Sequence, residues 1–102
     1  MKKEEFIEYY GRDLTEMKVT GVLNADMYQK MNKDDIREFI EGDVNDMAKK
    51  FINGFWEEET NVMCEYVVID THYNVREKVT ATMTYSHANG ISNVKVNVKK
   101  RI

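Results

Sequence analysis

From residue 75 to 86 the chain reads VREKVTATMTYS, and from Val79 onward apolar and polar side chains take turns along it. Val75, Val79, Ala81, Met83 and Tyr85 share one parity; Arg76, Lys78, Thr80, Thr82, Thr84 and Ser86 share the other. Successive strand side chains point to opposite faces, so this spacing predicts a strand with one dry face and one wet face. A dry sheet face has to be buried against another layer, and that requirement governs the reading of the remaining residues.

The strand runs into Asn89-Gly90, the pair that best tolerates positive φ at both centres of a type I′ hairpin turn. Placing Ala88 opposite Ile91 sets Tyr85 against Val94, Met83 against Val96 and Ala81 against Val98, all apolar. The outer pairs become Thr84 with Lys95, Thr82 with Asn97, Thr80 with Lys99 and Lys78 with Arg101. Upstream, NVMCEYVVID is apolar on both parities and predicts an interior strand with cover on both faces. TEMKVTGVL predicts a further strand near 16–23, with Met17, Val19 and Leu23 on one side and Gly21 weakening it or marking a bulge.

The layer that covers the dry face is helical by its spacing. Val44, Met47, Ala48, Phe51, Ile52 and Phe55 recur at three- and four-residue intervals and predict an amphipathic helix over 43–59, capped by Asp43. Gly42 is read as the stop of a shorter helix near 34–41, carrying Ile36, Phe39 and Ile40 and started by Asn32 or Asp34. Phe6, Ile7 and Tyr10 with Gly11 behind them predict a helix near 3–10, and Met27 and Met31 one near 26–32. The fold class that follows is α+β: an antiparallel sheet of about four strands, one near 16–23 and three within 62–102, packed on helix 43–59. A length of 102 residues fits a single domain over 1–102.

Several chemistries find no footing in these residues. The one cysteine, Cys64, allows no intramolecular disulfide and no thiolate cluster, and is read as a buried thiol in a reducing cytoplasm. His72 and His87 flank opposite ends of the 75–86 strand, too far apart to share a metal. Neither a nucleophile–base set, a glycine-rich phosphate loop nor a calcium-loop spacing occurs, so no catalytic residue, metal ligand or cofactor is assigned and the chain is read as non-enzymatic. No apolar run has the length of a signal core or a membrane span, which predicts no membrane association.

Charge supplies the functional readings. Residues 1–60 hold nine lysines and arginines against fifteen acids, net −6, whereas residues 61–102 hold six against three, net +3. An acidic helical face built from Asp34, Asp35, Glu38, Glu41, Asp43, Asp46, Glu57, Glu58 and Glu59 would suit a protein partner with a basic surface. Trp56, about 100° round from the apolar stripe, is placed at its shoulder as a half-exposed anchor. The alternative is nucleic acid on the outer sheet face, through Arg76, Lys78, Lys95, Lys99 and Arg101. That face lacks an aromatic on which bases could stack, and lysines on exposed strands also serve against edge aggregation.

Lysine, asparagine and isoleucine are abundant and proline is absent, the mark of AT-rich coding. In size and charge the chain resembles small acidic phage-encoded inhibitors of host defence nucleases, anti-CRISPR proteins among them. The resemblance implies a protein-binding inhibitor of phage or mobile-element type, either a monomer or a homodimer through an edge strand.

Overall fold

The computed structural model describes residues 1–52 and 54–98. The chain runs through α1 (Lys3–Tyr10), β1 (Glu16–Asn24), α2 (Ala25–Lys30), α3 (Lys33–Phe51), β2 (Thr60–Ile69), β3 (Val75–Ser86) and β4 (Gly90–Asn97). The strands form one sheet in the order β1-β2-β3-β4. The fold is α+β as the patterning predicts, with one correction: β1 lies parallel to β2, while β2–β3 and β3–β4 are antiparallel. Parallel neighbours need a long crossover, and the segment carrying α2 and α3 supplies it.

The second correction concerns the helices. The segments read as two, near 34–41 and 43–59, form one helix, and Gly42 lies in its interior. Its start is fixed by a capping box, in which the Asn32 side chain accepts from the Asp35 amide at 2.8 Å and Asp35 accepts from the Asn32 amide at 3.1 Å. Ile36, Ile40, Val44 and Ala48 continue at four-residue spacing straight through Gly42, and all four are fully buried. An interior glycine costs about 1 kcal/mol relative to alanine. Burying four side chains on one uninterrupted stripe outweighs that, at roughly 1.5–3 kcal/mol for each large aliphatic. The helix ends at Phe51, with Ile52 as its cap.

This stripe faces Val62, Cys64, Tyr66 and Val68 of β2 and Val79, Ala81, Met83 and Tyr85 of β3, which share one buried cluster with Phe6 and Trp56. The dry parity of β3 therefore holds, except at its start. A register irregularity pairs Val68 with Glu77 but Ile69 with Val75, so Val75 is left 58% exposed. Gly21 marks no bulge. A Cβ there would stand 2.5 Å from Tyr66 Cε1, and its absence lets the Tyr66 ring lie across β1.

The hairpin departs from the two-residue reading. Ser86 pairs with Gly90, leaving His87, Ala88 and Asn89 as a three-residue loop, and of residues 86–90 Gly90 alone takes positive φ, +71°. The register becomes Tyr85 with Ile91, Thr84 with Ser92, Thr82 with Lys95, Ala81 with Val96 and Thr80 with Asn97. Ile91 and Val94 have opposite parity, yet both pack on the core, which demands one extra residue between them. Asn93, at φ +53°, takes that place as a bulge. Asparagine accepts this conformation more readily than most residues.

Candidate protein-binding surface

Helical geometry sorts the acidic residues of α3. Asp34, Glu38 and Glu41 fall at i, i+4 and i+7, one stripe turned about 80–140° away from the buried one. Asp34 and Glu38 are exposed, and among the described residues neither forms an ion pair. Glu41 accepts from Arg37 Nε at 3.3 Å, an exposed i,i+4 pair worth at most a few tenths of a kcal/mol. Asp35 is committed to the capping box. Asp43, read from the sequence as a cap, instead accepts a hydrogen bond from the Tyr66 hydroxyl at 2.6 Å. Burial, and then this carboxylate, push the Tyr66 phenol far above its ordinary range.

The remaining members of the expected face are not brought together with this stripe. Residues 54–59 lie beyond the helix, whose end at Phe51 is on the order of 25 Å along α3 from Asp34, so Glu57, Glu58 and Glu59 do not extend the stripe. Between the two groups come Lys49 and Lys50, in the last turn of the helix. Glu57 pairs with the amino terminus at 2.8 Å, next to an α1 that carries Glu4, Glu5 and Glu8. The acidic surface is therefore two patches.

Trp56 requires a correction. It is 1% exposed and meets Phe6 edge-on at a ring separation of 5.1 Å, so it is a core residue and not a half-exposed anchor. The shoulder position assumed that the helix ran through residue 56. It stops at Phe51, so the helical period no longer sets the direction of Trp56, whose indole lies inward, while Phe51 and Phe55, placed on the apolar stripe by their spacing, are 48% and 57% exposed. Phe39, 38% exposed, packs edge-on against Tyr66 at 6.0 Å.

The outer sheet face holds Lys18, Thr20 and Val22 of β1, Met63, Glu65 and Val67 of β2, Lys78, Thr80 and Thr82 of β3, and Lys95 of β4. Lys78 lies 4.0 Å from Glu65, and Arg76 lies 3.7 Å from Asp70. Asp70 also accepts from the Asn74 and His72 amides, and these bonds, that of Asn74 first, hold its carboxyl below the usual range. Lys99 and Arg101 lie outside the described residues. Among the described residues no aromatic side chain stands on this face, and no group of three or more His, Cys, Asp or Glu converges as a metal site. A shallow cavity of about 200 Å³ lies between the start of α3 and the end of β4, lined by Lys33, Asp34, Arg37, Val96 and Val98.

Cys64 is buried, as its isolation in the sequence suggests, and burial followed by the charge of Asp43 pushes its thiol up to about 11. No helix among the described residues is long and apolar enough to cross a membrane. Comparisons with protein-family models, with curated proteins and with solved structures returned no match.

Proposed function

We propose that the protein is a non-enzymatic binding module that docks on a protein partner with a basic surface, and that it acts as a cytoplasmic inhibitor of phage or mobile-element type. The observation that carries this reading is the stripe of Asp34, Glu38 and Glu41, presented on a capped nineteen-residue helix, with a single ion pair to it among the described residues, Arg37 to Glu41. A row of carboxylates on a rigid helix steers a cationic surface to one orientation and raises the association rate, while costing the monomer little. Glu57, Glu58 and Glu59 form a second, separate acidic patch.

Nucleic-acid binding by the sheet has less support. Of the three described cations proposed for it, Lys78 and Arg76 each face a carboxylate and only Lys95 does not. The test between the two is a mobility-shift series with single- and double-stranded DNA and RNA at low and moderate salt. The protein-binding reading expects no shift at micromolar protein. A shift that weakens with salt and is lost in a Lys78→Glu/Lys95→Glu variant would replace it.

A further inference from the structure

The two edges of the sheet are unequally protected. On β4, the bulge at Asn93 and the exposed Lys95 interrupt any straight pairing surface. On β1, nine residues pair with β2 in unbroken register, without a proline or a bulge. Alternate amides and carbonyls of β1 point away from β2, and among the described residues no loop or side-chain hydrogen bond reaches those of residues 16 to 22. A long, regular strand of this kind is a template for another strand.

We propose that β1 pairs antiparallel with β1 of a second copy across a two-fold axis at Thr20, extending the sheet to eight strands. The occupant follows from self-complementarity. Sheet faces match only when paired residue numbers sum to an even value, and only a sum of 40 pairs all nine residues. In that register Thr20 meets its own equivalent, Lys18 meets Val22 and Glu16 meets Asn24 on the outer face. On the inner face Met17 meets Leu23 and Val19 meets Gly21. No like charges stand opposite one another, and the large side chains oppose apolar or smaller ones.

The side chains above the edge agree. Tyr66 lies across Gly21, and the half-exposed Phe39 rests on Tyr66, so an aromatic overhangs β1 where the second copy would arrive. Nine paired residues per copy with this flank would bury on the order of 1,000 Å² in total, the lower limit of a specific interface. About eight to ten backbone hydrogen bonds would accompany it, the usual number for an interface of ordinary size. The dimer forms independently of the acidic stripe.

Sedimentation velocity from low micromolar to near-millimolar concentration tests this, with circular dichroism to confirm folding. Thr20→Lys places its ammonium opposite Glu65 in its own sheet, which keeps the monomer folded, and sets two ammonium groups against each other at the axis. Thr20→Cys brings two thiols within disulfide reach across the axis, and Lys95→Cys serves as the β4 control. The expected result is a concentration-dependent dimer, weakened at least tenfold by Thr20→Lys and cross-linked through Thr20→Cys faster than through Lys95→Cys. A monomer at every concentration would overturn the proposal. So would a dimer that survives Thr20→Lys and cross-links through Lys95→Cys instead.

Discussion

Replacing Gly21 with alanine should destabilise the protein, although the same change in an ordinary strand would help it. The new Cβ would stand 2.5 Å from Tyr66 Cε1 and 2.8 Å from Cδ1. Carbon–carbon contact is comfortable at about 3.5–4.0 Å, so the ring has to retreat by roughly 1 Å. Three contacts resist that movement: the hydroxyl donates to Asp43 at 2.6 Å, Phe39 abuts the ring, and Tyr66 is 1% exposed in the core. Overpacking of this sort costs about 1–3 kcal/mol, and stretching a hydrogen bond to a carboxylate forfeits part of a further ~1.5–3 kcal/mol. The gain from removing a glycine returns only about 0.5–1 kcal/mol. A net loss of about 2–3 kcal/mol follows, read as a lower urea midpoint at unchanged slope and a fall in Tm of roughly 10–20 °C. In a Tyr66→Leu background the penalty should vanish, since the coupling resides in that one contact. A Gly21→Ala protein as stable as the parent, or one penalised equally without the ring, would refute the reasoning.

Gly42→Ala should act in the opposite sense, stabilising by about 0.5–1 kcal/mol in urea melts, because Gly42 is inside a helix and a Cβ there meets nothing within 4 Å. Asn32→Ala removes the capping box and should cost about 1 kcal/mol in the same assay. Trp56→Ala should cost about 3–5 kcal/mol, and native tryptophan emission should be blue-shifted relative to the unfolded chain. In alkali, the folded-state pKa values of Cys64 and Tyr28 lie above their ordinary ones. Burial is the first cause in both, followed by Asp43 for Cys64 and Glu77 for Tyr28, which raise them from 9.0 to about 11 and from 10.0 to about 12. The contribution of each neutral group is complete below its unfolded pKa and is lost as pH rises through the folded one. Stability should thus decline from about pH 9 upward, and Cys64→Ala should flatten the part of that decline between pH 9 and 11 in thermal melts.

The elements that the sequence reveals best are those whose burial follows a single local period. Val79, Ala81, Met83 and Tyr85 face inward as their alternation requires, and α1 ends at Gly11 in the left-handed conformation that its position suggests. Misreadings occur where tertiary packing outvotes a local signal. Gly42 resembles a stop, but the stripe Ile36, Ile40, Val44 and Ala48 continues across it. Asn89-Gly90 favours a two-residue turn, but bringing both Ile91 and Val94 to the core forces a bulge, and with it another register. The parallel pairing of β1 leaves no local trace, since it depends on where the crossover deposits β2. At the candidate surface, the spacing of Asp34, Glu38 and Glu41 is legible at once. The separation of Glu57, Glu58 and Glu59 from them, and the inward turn of Trp56, hinge on the helix ending at Phe51.

The most direct test of the acidic stripe is a quantitative pull-down from a low-GC bacterial lysate, comparing the parent chain with a triple Asp34→Lys/Glu38→Lys/Glu41→Lys variant and with the Lys78→Glu/Lys95→Glu variant. Asp34, Glu38, Lys78 and Lys95 are exposed and Glu41 is half-buried at the helix surface, so each protein should remain folded, as circular dichroism would verify. The account predicts a protein that is retained by the parent and by the sheet variant, released by added salt, and lost in the triple variant. Retention unchanged by reversing the stripe, or abolished only by reversing the sheet lysines, would contradict it.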